Sequence, residues 1–199
     1  MTDSEAYDAY PELGHWYDKL WVATQFRYTA GTEHVPRAGH YIVRPTMNLA
    51  GCGTGAGIKF YLNNDTVPDE CFWSEIFYGD HITIDYTRVN NVWQQGNTFQ
   101  GFNTPTDLIH FTCWNRVNHM FELPAIFDEI TAEHINIEII GSRIIEVHLR
   151  HNTDPVMWDE FVPVWNLAQL CPAGYVRIED TESHVDRLGF FVRNNRVEL

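Results

Sequence analysis

Apolar and polar positions alternate along residues 135–150, INIEIIGSRIIEVHLR, on either side of a Gly141–Ser142 pair, which predicts a β-hairpin. Two loop lengths are open. A two-residue loop, Gly141–Ser142, sets Glu138 against Ile145 and scatters polar groups over both faces. A three-residue loop, Gly141 to Arg143, pairs Ile140 with Ile144 and Glu138 with Glu146. The second choice gathers Ile135, Ile137, Ile139, Ile145, Val147 and Leu149 on one aliphatic face. His134, Asn136, Glu138, Glu146, His148 and Arg150 then share the other. A buried face specifies register strongly, so the three-residue loop is expected.

The same reading along the rest of the chain predicts a mostly antiparallel α+β fold with few helices. YPELGHWYDKLWVATQFRYTAG carries Leu20, Ala23 and Phe26 at helical spacing and stops at Ala30–Gly31. HYIVRP, ended by Pro45, and IKFYL are short strands joined by the glycine-rich TMNLAGCGTGAG. CFWSEIFYG and DHITIDYTRV are expected as strands around a turn at Gly79–Asp80. NNVWQQGNTFQGFNTP is polar and turn-rich, which predicts a loop with a short strand. LPAIFDEITAEH predicts a short helix with no chemistry on DEITAEH, and GYVRIED and LGFFVRNNRVEL predict closing strands. There are no repeats or low-complexity linkers.

The chain has 199 residues, enough for one domain or two small lobes. Its formal net charge is −14, which leaves no basic stripe to neutralise a nucleic-acid backbone but does not exclude a single nucleotide. The four cysteines, Cys52, Cys71, Cys113 and Cys171, form no CxxC pair, so reduced thiols in a cytoplasmic protein are expected. No run approaches the roughly 18 apolar residues of a membrane span, and MTDSEAYDAY lacks the features of a signal peptide. The seven tryptophans are expected in the core or between lobes rather than as a platform for bases.

Two features suggest chemistry. Glu138 directly across from Glu146 is destabilising unless something compensates. A hard divalent cation does so, since Mg²⁺ takes carboxylate oxygens together with substrate phosphates. Arg150 does so too, and a solvated sheet face accounts for the pattern equally. Gly51, Gly53, Gly55 and Gly57 alternate in the glycine-rich connection, where backbone N–H groups can close over phosphates with Arg44 beside them; a mobile surface turn is the alternative. A strand, not a helix, follows these glycines, which argues against a dinucleotide-binding turn.

The order of these features resembles the ATP-grasp superfamily, most closely its biotin-carboxylase and carboxylate–amine ligase type, over about Tyr17 to His151. YDKLWVATQFRYTAGTEHVP is similar to the family's DK-led helix, and the resemblance makes Lys19 a phosphate contact. HYIVRPTMNLAGCGTGAGI resembles the strand and glycine loop, with Arg44 where lysine is usual and Gly51, Gly53 and Gly55 in the loop. FWSEIFYGDHITIDY resembles the adenine hinge, which puts Glu75, Ile76 and Phe77 at the base and His81 near the ribose or phosphates. INIEIIGSRIIEVHLR resembles the metal hairpin, with Glu138 and Glu146 as the acidic ligands, His148 in place of an asparagine and Arg150 as the family's arginine. Only a short segment precedes Tyr17, so the resemblance is to a compact version without the usual N-terminal domain.

The resemblance implies one two-lobed domain over residues 1–199, with a glycine-loop lobe at about 17–75 and a metal-hairpin lobe at about 76–199. It implies a Mg²⁺–ATP-dependent ligase that activates a carboxylate as an acylphosphate for attack by an amine or other nucleophile, with Arg44 and Arg150 catalytic. The acceptor would be a small-molecule or peptide carboxylate, with no nucleic acid or membrane partner, and a companion protein or homo-oligomer is possible. The alternative is a non-catalytic or degenerate nucleotide-binding module acting through a protein partner. A metal hydrolase or oxygenase built on His134, His148, His151 and the glutamates is a third class, but no HExxH or compact His/Asp triad supports it.

Overall fold

A computed structural model of the chain describes residues 1–47, 49, 53–104, 107–180 and 186–193. The chain opens with α1, Asp3–Ala9, started by a reciprocal capping box. Thr2 Oγ1 accepts from the Glu5 N–H, and the Glu5 carboxylate accepts from the Thr2 N–H at 2.7 Å. A 3₁₀ segment, Pro11–Tyr17, leads into α2, Lys19–Gln25. Asp18 separates the two because its carboxylate accepts from the N–H groups of Leu20 and Trp21, which makes it an N-cap. The predicted single helical stretch is therefore two pieces.

A four-stranded antiparallel sheet follows, made of β1 (Ala30–Gly31), β2 (Gly39–Pro45), β3 (Gly57–Tyr61) and β4 (Cys71–Ser74) in the order β1-β4-β2-β3. Val35, Tyr41, Val43, Val67 and Trp73 form its core. The second sheet comprises β5 (His81–Val89), β6 (Val92–Phe102), β7 (Cys113–Arg116), β8 (His134–Ile140), β9 (Arg143–His148), β10 (Glu160–Pro163), β11 (Tyr175–Ile178) and β12 (Phe190–Arg193). Its order is β11-β12-β10-β7-β6-β5-β8-β9, every pair antiparallel. The α+β class with mostly antiparallel sheets and few helices is as the sequence predicts. Among the described residues, no helix is long and apolar enough to cross a membrane.

Three local expectations are corrected. β4 and β5 do not form a hairpin around Gly79–Asp80; they belong to different sheets, and Glu75–Asp80 is the crossing between them. Residues 92–102 form one long strand rather than a loop, because β5 and β7 pair with it on both sides. Its turn, Asn90–Asn91, has φ of 51° and 61°, a conformation asparagine tolerates and two-residue hairpin turns require. The expected helix near 124–133 is only a 3₁₀ turn, Ala125–Glu129. Beyond it Ile130 and Ala132 are buried while Thr131 and Glu133 are exposed, a period of two that feeds the chain into β8.

In the hairpin, Glu138 pairs with Glu146 as predicted, but by a different route. The loop has two residues, with Ile140 opposite Arg143, and a bulge at Ile144–Ile145 restores the register. The extra residue reverses the two isoleucines. Ile144, not Ile145, joins Ile135, Ile137, Ile139, Val147 and Leu149 in the core against Trp16, Tyr17 and Phe127.

Candidate functional site

The polar face of this hairpin looks into a cavity of about 480 Å³ between the two sheets. Ile42, Arg44 and Ile58 line it from the small sheet, and Glu75 to Gly79 line it from the crossing segment. His81, Thr83, Asn136, Glu138, Ile140, Ile145, Glu146, His148 and Arg150 line it from the large sheet and the residues just after β9. The bulge thus turns Ile145 toward the cavity and away from the core.

Both glutamates are held on one oxygen. His81 Nε2 donates to Glu138 Oε2 at 2.9 Å. Lys19 Nζ and Arg44 Nη1 donate to Glu146 Oε1 at 2.6 and 3.2 Å, and Arg44 Nη2 donates to the Ile145 carbonyl at 3.2 Å. The like-charge pair is therefore compensated by cations already in the fold. Burial pushes the Glu138 carboxyl up. Its hydrogen bond to His81 and the charges of His81, His148 and Lys19 outweigh this and bring it to about 2. Burial lowers Arg44 below its ordinary value despite the two carboxylates nearby.

The N-terminal helix completes the site. His148 Nδ1 donates to Asp3 Oδ1 at 3.0 Å, and Arg150 Nη2 donates to Asp3 Oδ2 at 2.7 Å. Burial alone would raise the Asp3 carboxyl, but these two partners hold it well below the usual carboxylate range. Burial pulls the His148 imidazole down, and Asp3 more than reverses this, so it lies above its ordinary value.

The three remaining atoms of the hairpin, Glu138 Oε1, Glu146 Oε2 and His148 Nε2, converge. The imidazole nitrogen is 3.9 and 3.7 Å from the two oxygens. Glu138, Glu146 and His148 offer ligand atoms within 4.8 Å of one another, and among the described residues no other His, Cys, Asp or Glu group does so. Two carboxylates and an imidazole are a chemically suitable donor set for a divalent cation.

The other expected residues are distributed more widely. Gly53 lines the cavity, with φ of 61° and the Leu108 carbonyl 3.3 Å from where a Cβ would stand. Gly55 does not line it and packs on Pro45, while Gly51 lies outside the described residues. Lys19 does not line the cavity either; its ammonium is on Glu146. His81 sits on Glu138 and packs edge-on against Phe111 and Trp114. Ile76 and Phe77 line the cavity, but the Glu75 N–H is already donated to the Thr29 carbonyl. The Glu75 carboxylate accepts from Arg143, whose guanidinium lies 4.7 Å from the centre of the Phe77 ring.

Sequence reasoning missed Asp3, although the Thr2-x-x-Glu5 spacing was a legible helix start beside it. It also missed a buried polar group behind the cavity. Asn136 Nδ2 donates to Thr83 Oγ1 and to Asp85 Oδ1, and Asp85 Oδ1 also accepts from the Asn152 N–H. Burial raises the Asp85 carboxyl despite these bonds.

No protein-family sequence model matches the chain, and no curated protein is similar to it in sequence. In structure it is similar to the N5-carboxyaminoimidazole synthetase of Staphylococcus aureus complexed with ADP. The TM-score is 0.61 at 10% identity, over 89% of this chain and 67% of that one. The carboxyaminoimidazole ribonucleotide synthase of Aspergillus clavatus complexed with ATP gives 0.54 at 8% identity, over 89% of this chain and 68% of that one. A protein of Archaeoglobus fulgidus assigned to the ATP-grasp superfamily gives 0.49 at 12% identity, over 90% and 64%. The chain shares the fold of the Staphylococcus aureus and Aspergillus clavatus synthetases. It spans about two thirds of the length of these proteins.

Proposed function

We propose that the cavity binds Mg²⁺–ATP and that the chain is an ATP-dependent ligase, activating a small-molecule or peptide carboxylate as an acylphosphate for attack by an amine or other nucleophile. The observation that carries this reading is the Glu138–Glu146 pair: two carboxylates directly opposed, each with one oxygen facing the cavity. The two synthetases of like fold carry ADP and ATP, which supports it.

On this reading residues 17–75 act as the glycine-loop lobe and residues 76–199 as the metal-hairpin lobe. Ile42, Ile58, Ile140 and Phe77 offer apolar walls to a base. Gly53 and its loop close the phosphate side and exclude water. Arg44 and Arg150 present positive charge to the transferring phosphoryl group, and the rigid hairpin fixes the carboxylates. Glu138, Glu146 and His148 would hold the cation. Such a cation, when bound, neutralises phosphate charge and orients the γ-phosphoryl group.

One observation favours a second reading, a nucleotide-binding module without catalysis that acts through a partner protein. Lys19 and Arg44 are bonded to Glu146, and Arg150 to Asp3, so all three cations already have anionic partners. ADP formation that depends on an added carboxylate acceptor separates the two readings.

The first experiment is a thermal-shift titration with ATP, ADP and GTP, each with and without Mg²⁺. A ligand at 100 times its dissociation constant stabilises by about 2.7 kcal/mol. The expected result is a Mg²⁺-dependent shift with ATP that Glu138→Gln and Glu146→Gln abolish. The absence of any nucleotide shift in a folded protein overturns the proposal.

A further inference from the structure

The three converging atoms of the hairpin are a mixed set of oxygen and nitrogen, and each of their side chains is held from behind. Glu138 is fixed by His81 on Oε2, Glu146 by Lys19 and Arg44 on Oε1, and His148 by Asp3 on Nδ1. What remains pointing inward is Glu138 Oε1, Glu146 Oε2 and His148 Nε2. The nitrogen lies 3.9 and 3.7 Å from the oxygens, beyond hydrogen-bonding distance, and the His148 side chain is only 9% exposed. An imidazole nitrogen of a largely buried side chain thus faces two carboxylate oxygens, close enough for ion pairing but not for a hydrogen bond.

The support behind the imidazole is itself built. Asp3 is 3% exposed and is locked by Arg150 on its second oxygen. A carboxylate on the far ring nitrogen fixes the tautomer, sets the ring plane and makes the near nitrogen a better donor, as in metal-binding histidines generally. With Nδ1 carrying the hydrogen bond to Asp3, Nε2 is the only ring atom left to act as a ligand.

We propose that this centre selects a divalent first-row transition metal, with Mn²⁺ as the representative, over Mg²⁺, using His148 Nε2 with Glu138 and Glu146, and that Asp3 is its positioning residue. The inference deepens the reading of the cavity as a metal-dependent nucleotide site and rests on that reading for its biological use, but the binding itself needs no nucleotide. Two physical arguments lead to it. Mg²⁺ demands oxygen ligands and gives up its waters reluctantly, whereas imidazole nitrogen is a good ligand for transition metals. Lys19 and Arg44 also already neutralise much of the carboxylate charge at Glu146, which removes attraction from a cation held by charge alone. The nitrogen donor is not weakened in that way.

The test uses the full chain without nucleotide. Mn²⁺ binding is followed by loss of the free-ion electron paramagnetic resonance signal, with Mg²⁺ as competitor, and the bound ion is examined by pulsed resonance for coupling to a ring nitrogen. Mn²⁺ is expected to bind at least about tenfold more tightly than Mg²⁺. A nitrogen coupling should be present in the wild type and absent in His148→Asn, with the metal preference lost alongside it. Asp3→Asn should weaken Mn²⁺ by about 10- to 100-fold while changing Mg²⁺ much less.

If Asp3→Asn lowers thermal stability yet leaves the Mn²⁺-to-Mg²⁺ ratio intact, Asp3 is only structural and its positioning role is overturned. Should that variant fail to fold, His148→Gln and the wild-type nitrogen coupling still decide the metal preference. Equal affinities for the two ions, or bound Mn²⁺ without nitrogen coupling, overturn the proposal. Mg²⁺–ATP binding without selective Mn²⁺ binding sinks this inference and spares the nucleotide reading. Selective Mn²⁺ binding with no nucleotide shift does the reverse.

Discussion

Gly79 and Gly141 pass so closely that a Cβ on Gly79 would stand 2.8 Å from the Gly141 Cα. Gly141 also donates its N–H to the Asp80 carbonyl at 2.9 Å. The crossing between the sheets is therefore pinned to the turn of the acidic hairpin.

Gly79→Ala should break that contact. Its φ of 130° is unfavourable for alanine and the new methyl has backbone, not a flexible side chain, to displace. A loss of about 1–3 kcal/mol in urea unfolding is expected. A near-neutral result would mean that the close approach is easily relaxed.

Asp3→Ala should be more damaging than its place near the N-terminus suggests. It leaves His148 and Arg150 buried without their acceptor, and removing one partner of a buried ion pair costs about 3–5 kcal/mol. The pH dependence has a definite sign. Because the Asp3 carboxyl is lowered in the folded protein, its contribution is fully present above the ordinary value of 3.8 and is lost progressively as pH falls below that toward the lower native value. Urea midpoints measured between pH 6 and pH 3 should drop in the wild type, and Asp3→Ala should flatten part of that drop.

The bulge makes a pair of adjacent isoleucines inequivalent. Ile144→Ala empties a core position and should cost about 2–5 kcal/mol. Ile145→Ala should cost clearly less, since its side chain faces an existing cavity and its loss creates no new enclosed void. Equal costs, read by chemical denaturation, would contradict the bulged register.

Arg143 clamps the crossing segment from the hairpin turn, through Glu75 at 3.0 Å and between the rings of Tyr28 and Phe77. The pair is half exposed, so Arg143→Ala should cost no more than about 1 kcal/mol of global stability. Its local effect should be larger. Amide exchange at residues 75–77 is expected to quicken, while exchange in β8 is unchanged.

How far the sequence could be read depends on how locally each feature is specified. The opposition of Glu138 and Glu146 was legible because isoleucines at 135, 137 and 139 commit β8 to one buried face. The bulge was not, because Ile144 and Ile145 are the same residue and their pattern does not say which one faces the core. β6 is hidden in the sequence because Gln, Asn and Gly mask its alternation, and pairing on both edges overrides weak strand propensity. The extended run at residues 130–133 is not legible because DEITAEH fits a helical face as well as an alternating one.

The sequence by itself determined the α+β class, the opposition of Glu138 and Glu146, the glycine-rich connection and a strongly acidic net charge. These follow from side-chain period and composition, which are properties of neighbouring residues. Only the tertiary structure decided which atoms of that hairpin remain available. Lys19, Arg44, His81 and Asp3 reach it across 127, 102, 57 and 145 residues of chain. Pairings at such separations arise from the packing of whole sheets and helices, and no local pattern encodes which carboxylate oxygen will be taken and which left facing the cavity.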